Sequence, residues 1–493
     1  MSIIKIYIKN FFKSNNFVKS LIYLFNTSNK YFELGYKFEK SKNWEQAIIK
    51  YKFALKLNPS KPLWHYRLGF VYEKDEKYVN AVEEYQSAIK LDPSKPLWHY
   101  RLGFVYEKDE KYIKAVKEYQ SAIKLDPSKP LWHYRLGSVY EKNKKFKESI
   151  IEYQNAIKLD SSKAVWHFSL AKVQFDRKNW LAAYSSIKSA LKIERKNSEW
   201  FELLGLASEK ILDWNTARYA FRRSYSISLK EAKSKNLSTP NLSSNELSRH
   251  INLSSIYKPV YAYIVKKSAE LAVKLGVKRI SVIELGVAGG NGLLALENYA
   301  NIVSTFTGIK IDVYGFDTGE GLFEPEDYRD MPYFFAKGNY SINLDLLKNR
   351  LKEAKLILGD ASLTFGKFLE DKPSPIGAIS FDMDYYSATS SVLKFMDDSS
   401  DNDLFLPRVS LYFDDVVGKI EQDYNEYTGE LLAIKEFNDG NQKIKIAEDR
   451  FFRSLPLNFA WHHSTYTMHR FNSNKYGNFV SDHNPETLSL KNI

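Results

Sequence analysis

The chain of 493 residues contains no cysteine. Disulfides, thiolate zinc sites, iron–sulfur clusters and a cysteine nucleophile are therefore excluded. It also has no uninterrupted run of 18 apolar residues, so no transmembrane helix is expected. The first thirty residues are apolar but punctuated by Lys5, Lys9, Lys13 and Lys19. They lack a continuous apolar centre and a small-residue cleavage site, so they do not read as a signal peptide. A helix lying on the next domain, or on a membrane surface, is the expectation there, and a cytoplasmic location for the whole. Neither charge nor apolar content is short: 27% of residues are charged and 44% hydrophobic, as in ordinary globular proteins. Length alone suggests about three domains.

The net charge of +13 is unevenly spread. Residues 1–240 carry 45 Lys+Arg against 25 Asp+Glu, a net of +20, and the remainder carries −7. Two modules with different partners are implied. The basic half has no nucleic-acid motif, and its charges fall mostly in mixed runs such as Glu73-Lys74-Asp75-Glu76-Lys77. They read as solvated helix faces, and nucleic acid is not an expected partner.

In that half, Trp64, Trp98, Trp132, Trp166 and Trp200 recur every 34 residues, and so do Leu68, Leu102, Leu136, Leu170 and Leu204. Gly69, Gly103, Gly137 and Gly205 follow the leucines, with Ala171 in the gap. Ala81, Ala115, Ala183 and Ala217 form a further column, and Tyr85, Tyr119, Tyr153 and Phe221 another. Residues 60–78 and 94–112 are identical, the mark of an internal duplication. The pattern resembles the tetratricopeptide repeat. Small residues let two helices cross closely, aromatics fill the space between neighbours, and Pro93 stops the second helix. About six repeats are expected between residues 30 and 228, after an N-terminal helical segment over 1–29. The resemblance implies an α-helical solenoid whose groove takes a protein or peptide partner. Tyr66, Tyr100 and Tyr134, with Phe70 and Phe104, are either an aromatic recognition stripe or inter-repeat packing. The tryptophan column reads as packing. The histidine column, His65, His99, His133 and His167, is spaced a whole repeat apart, too far to share one ion. Residues 229–256, rich in Ser, Asn and Lys, read as a linker.

From residue 257 the pattern changes. Arg279–Leu285 reads as a short buried strand, followed by the loop Gly286-Val287-Ala288-Gly289-Gly290 and a helix. This is the start of an open α/β sheet, whose ligands sit at the carboxyl ends of the strands. The loop does not fit the dinucleotide fingerprint, because Ala288 and Asn291 stand where glycines are needed. It reads E-x-G-x-x-x-G from Glu284. Further strands end in acids: Ile311–Phe316 at Asp317, Leu356–Gly359 at Asp360, Ile376–Phe381 at Asp382 and Asp384, and Val409–Phe413 at Asp414 and Asp415.

The glycine loop resembles motif I of class I S-adenosylmethionine-dependent methyltransferases. D-x-D-x-Y-x-x-T from Asp382 to Thr389, the later Phe413-Asp414-Asp415, and Phe316-Asp317-Thr318-Gly319-Glu320-Gly321-Leu322 resemble the macrocin-type sugar O-methyltransferases. The resemblance runs from about Tyr257 to Val417 and loosens beyond. It implies an α + α/β chain: the helical repeats, then a Rossmann-like class I methyltransferase domain over 257–493. That domain would hold a mostly parallel seven-stranded sheet with a terminal antiparallel hairpin, formed by Leu457–His463 and Tyr466–Phe471. It implies S-adenosyl-L-methionine held by Glu284, Gly286, Gly289, Gly290, Asp317 on the ribose, Asp360 near the adenine, and Asp382. It implies Mg2+ on Asp384 or Asp382 with Asp414 and Asp415, since a hard cation prefers oxygen ligands. Asp384 and His463 are the implied catalytic residues, His463 standing for a set with His462 and His469 that offers a general base. The acceptor would be a hydroxyl of a sugar or other small molecule or glycan. The other expectation is an interaction scaffold whose methyltransferase-like domain is inactive.

Overall fold

The computed structural model describes residues 16–481, apart from 236, 238, 399–402, 420–421 and 479. The expected segment 1–29 thus lies outside the described residues up to residue 15; from Asn16 it is helical. The chain divides into two compact units, one ending at Lys196 and one beginning at Asn197.

The first unit is five antiparallel helix pairs: α1 (Asn16–Lys40) with α2 (Trp44–Leu57), α3 (Pro62–Lys74) with α4 (Tyr78–Leu91), α5 (Pro96–Lys108) with α6 (Tyr112–Leu125), α7 (Pro130–Lys142) with α8 (Phe146–Leu159), and α9 (Ala164–Asp176) with α10 (Trp180–Ile193). Pro62, Pro96 and Pro130 begin their helices at positions where a missing N–H costs nothing. Within a pair, the crossing is set by the glycine column. A β-carbon on Gly69 would lie 2.9 Å from the Tyr85 ring, and Gly103 and Gly137 stand equally close to Tyr119 and Tyr153. Between pairs, Tyr66 stacks on Trp98, Tyr100 on Trp132 and Tyr134 on Trp166, with ring centroids 5.6–5.7 Å apart. The tryptophan and Tyr66 columns are therefore inter-repeat packing. The histidine column is structural: His65, His99 and His133 each hold a glutamate of their own pair, Glu84, Glu118 and Glu152, at 2.6–2.7 Å.

The sixth pair, α11 (Ser198–Lys210) and α12 (Trp214–Ser234), belongs to the second unit. The segment 229–256 differs from the linker expected of it. It holds the end of α12 and a short helix α13 (Ser244–Asn252), whose Leu247 and Ile251 are buried in the second unit's core. Composition hid a capping box, in which Ser243 and Glu246 exchange hydrogen bonds at the start of an apolar i, i+4 pair.

Helix α14 (Pro259–Lys274) leads into a seven-stranded sheet of order β3-β2-β1-β4-β5-β7-β6. The strands are β1 (Arg279–Leu285), β2 (Lys310–Asp317), β3 (Lys355–Leu358), β4 (Ile376–Phe381), β5 (Phe405–Phe413), β6 (Ile444–Glu448) and β7 (Thr465–Arg470). The first five run parallel, and β7 is antiparallel to both β5 and β6. The partner of β7 is thus Ile444–Glu448. Residues 460–463 form a 3-10 turn, not the strand expected over 457–463. Two buried layers sandwich the sheet: Ile280 and Val282 face α14 and α15 (Asn291–Thr307), while Ile283 and Leu285 face α17 (Ala361–Glu370) and α18 (Tyr386–Asp398). Strands buried on both faces read as continuous apolar runs, which is why they were legible. Helix α16 (Leu344–Arg350) and α19 (Gly429–Gly440) complete the unit.

Candidate active site at the strand ends

In the strand order, β1 lies between β2 and β4, so the chain reverses direction of winding beside β1. A crevice opens at such a point, outside the carboxyl ends of the strands. A cavity of about 260 Å3 occupies it. Gly286, Ala288, Asp317, Asp360, Asp382, Asp384, Asp414 and Asp415 all line it, together with Tyr340, Tyr385 and Gln422. The acids that end four separate strands in the sequence therefore come together.

The glycine loop forms the floor. Gly286 has φ +83°, and a β-carbon there would overlap the Asp382 carbonyl oxygen. Asp317 holds the loop from β2: one carboxylate oxygen accepts the amides of Val287 and Ala288 at 2.9 Å, and the other accepts that of Gly319 at 2.7 Å. A carboxylate offers roughly four acceptor positions. Three are occupied, which leaves room for one further donor. Asp360 is the N-cap of α17 and accepts the Ser362 amide at 2.8 Å.

Three expected cofactor residues do not line the cavity. Glu284 lies below the loop, 1% exposed, accepting the Tyr261 hydroxyl at 2.6 Å. Burial raises its pKa to about 7, and its second oxygen has no hydrogen-bond partner. Gly290, at φ +76°, starts α15 against Leu347, and Gly289 faces open space.

Five carboxylates crowd the far wall. Asp384 sits in a left-handed turn at φ +63° beside Asp415. Burial and the charge of Asp415 push Asp384 up to about 9, and burial raises Asp415 to about 6. Burial and Asp414 raise Asp382 well above the carboxylate range, and burial and Asp415 do the same for Glu430. The Asp415 amide donates to Glu430 at 3.1 Å. The hydroxyls of Tyr412 and Tyr424 donate to Asp414 and Asp415. One oxygen each of Asp415 and Glu430 is buried without a partner. Among the described residues, no three such side chains stand as a ready metal cage.

His463 does not join them. It is 44% exposed, outside the cavity lining, with Nδ1 3.7 Å from Glu448. The stretch expected to form its strand is a 3-10 turn. His462 is buried and stacked on Phe452, and His469 bonds to Tyr476. Glu430, Tyr424 and Lys258 escaped the sequence reading. The first two lie after the last matched motif. Lys258, whose charge favours ionised Glu284 and Asp382, precedes the first strand in an unremarked turn.

A family model described as TPR repeat matches residues 35–76, 74–110 and 108–144, and a tetratricopeptide repeat model matches 133–163. Residues 35–163 are tetratricopeptide repeats. Among solved structures, a MamA protein is similar at 24% identity, with 35% of this chain and 94% of that one covered and a TM-score of 0.34. YrrB, described as a TPR protein with an unusual peptide-binding site, is similar at 18% identity, covering 38% and 98%, TM-score 0.34. A structure of PilF from Pseudomonas aeruginosa is similar at 20% identity, covering 43% and 98%, TM-score 0.35. No curated protein matches the chain. Repeats of this kind suggest a protein or peptide partner. No described helix is long and apolar enough to cross a membrane.

Proposed function

We propose that the second unit is a Rossmann-like class I S-adenosylmethionine-dependent O-methyltransferase using a divalent cation, and that the repeats bring it a partner or acceptor. The observation that carries this reading is the single cavity in which a glycine floor meets acids from four strand ends. The five parallel strands with a terminal antiparallel pair support the same fold.

The residue types suit both groups, although the carboxylates do not stand as a preformed cage. Gly286 keeps the loop backbone against Asp382 at the cavity floor, Asp317 retains one acceptor position for a ribose hydroxyl, and Asp360 lines the adenine end. Asp384, Asp414 and Asp415 would hold the cation, and the unpartnered oxygens of Asp415 and Glu430 are what an oxygen-liganded cation relieves. When bound, the cofactor supplies an electrophilic methyl group and the cation lowers the pKa of the acceptor hydroxyl. The protein's own part is to desolvate and orient. Tyr340 and Tyr385 wall the acceptor side, and Asp384, ionised only with a cation beside it, would take the proton leaving that hydroxyl.

The second reading is an interaction scaffold whose sheet domain is catalytically inactive. The comparisons favour it, since they speak for the repeats alone. Calorimetric titration of the full chain with S-adenosylmethionine, with and without Mg2+, separates the two. Saturable binding is expected; its absence under both conditions sinks the enzyme reading.

A further inference from the structure

The first helices of the repeats carry, on their partly exposed side, a ladder of rings that pack with one edge on the repeat core and are flanked by cations. Its rungs are built alike. Tyr36 lies between Lys40, at 4.8 Å from the ring centroid, and Arg67 of the next repeat, at 5.0 Å. Phe70 lies between Lys74 (5.3 Å) and Arg101 (5.1 Å). Phe104 lies between Lys108 (5.7 Å) and Arg135 (5.4 Å). Each ring is half-buried, and the arginines keep about a third of their side-chain surface in solvent, from 27% to 33%.

The charge of a rung is positive. Each arginine faces one glutamate, Glu39, Glu73 or Glu107, but that glutamate is buried and already accepts a tyrosine hydroxyl. Two cations then stand against one carboxylate in a rung, Lys74 itself lying 3.8 Å from Glu73. One turn before each arginine stands an exposed leucine: Leu63, Leu97 and Leu131. The ladder also stops abruptly. Ser138 and Ser169 stand where the next aromatic and arginine would be, and the repeat of α9 and α10 packs without them. Packing therefore does not require the rungs.

We propose that this ladder, between residues 36 and 142, is the docking face for an extended acidic peptide segment with interspersed aliphatic residues. Carboxylates suit the paired lysine and arginine of each rung, and the leucine row suits the apolar side chains between them. Nucleic acid fits worse, because the cations cover the ring faces on which bases would stack. The proposal rests on the repeats being a partner-binding array and is independent of methyl transfer.

The test uses the full chain and a fluorescein-labelled peptide of about 20 residues, glutamate with leucine at every fourth position, read by anisotropy at physiological salt. The competing probes are its glutamine-for-glutamate analogue and an oligo-dT of similar length. Two charge-matched variants are compared: Lys40→Glu/Lys74→Glu/Lys108→Glu on the ladder, and Lys56→Glu/Lys90→Glu/Lys124→Glu on the second helices. The ladder variant is expected to lose at least about ten-fold in affinity for the acidic peptide, and the control less than about two-fold. Equal losses in both overturn the proposal and leave only net charge. Tighter binding of oligo-dT than of the acidic peptide overturns it in favour of nucleic acid. Equal or tighter binding of the glutamine analogue keeps the partner-binding array and overturns the acidic partner. Circular dichroism of both variants excludes unfolding as the cause.

Discussion

Gly286 runs so close beneath Asp382 that a β-carbon on the one would overlap the carbonyl oxygen of the other. The end of β1 is thereby fixed against the end of β4, and the cavity floor is backbone.

A Gly286→Ala protein should therefore fail twice. Its φ of +83° is costly for any residue with a β-carbon, about 1–3 kcal/mol, and the overlap forces β1 and β4 apart. We expect a lowered melting temperature for the sheet unit and loss of S-adenosylmethionine binding, measured by calorimetry. Gly289→Ala is the matched control, since a β-carbon there meets nothing within 4 Å. Binding within about two-fold of wild type is expected for it.

The acid wall sets a pH signature. Asp384 is raised to about 9 and Asp415 to about 6, so the folded state holds protons that the unfolded chain releases near pH 4. Stability from that retention is full below the ordinary carboxylate range. It is lost as pH rises, first through about 6 and then through about 9. The melting temperature of the sheet unit should fall between pH 5 and pH 9 without added metal. Mg2+ should raise it, and more at pH 8 than at pH 6, because fewer protons must be displaced. A thermal-shift series over pH and Mg2+ checks both slopes.

Much of this wall was legible and part was not. Strand-end acids are readable because a buried apolar run ends visibly at the first charged residue, as at Phe316-Asp317 and Phe413-Asp414. The repeat columns are readable because each copy confirms the others. Glu430 and Tyr424 were not, because nothing local separates a buried glutamate at a helix start from a solvated one. His463 misled because the strand expected over 457–463 curls into a 3-10 turn. The segment before α14 misled because a capping box uses the same serines and asparagines as a flexible linker.

His65 gives the repeats a pH response of opposite origin. Burial pulls the His65 pKa down, but hydrogen bonds to Glu84 and the Pro59 carbonyl outweigh it, and the net shift is upward. The protonated form is favoured in the fold. Its stability is full below the ordinary histidine range and is lost as pH rises through the raised value. The unfolding midpoint of the repeats in urea should be higher at pH 6 than at pH 8.5. In His65→Gln that difference should shrink, by about 1 kcal/mol or less for a partly exposed pair.

The glycine and tyrosine columns should be energetically coupled, and the chain contains its own control. Gly103 faces the Tyr119 ring so closely that an added β-carbon would lie 2.9 Å from it. In the fifth repeat the glycine position holds Ala171, and the tyrosine position holds Ile187, fully buried. The smaller partner makes room for the methyl group. Gly103→Ala alone should overpack the crossing of α5 and α6 and destabilise by about 1–3 kcal/mol. Tyr119→Ile alone should also destabilise, because it opens a gap and removes the hydroxyl bonded to the buried Glu107. The double variant rebuilds the arrangement of the fifth repeat. It should be more stable than the sum of the single effects predicts, with a coupling of about 1 kcal/mol or more. A denaturant-melt double-mutant cycle measures that coupling. Strict additivity would mean that the close approach of Gly103 and Tyr119 does not set the crossing.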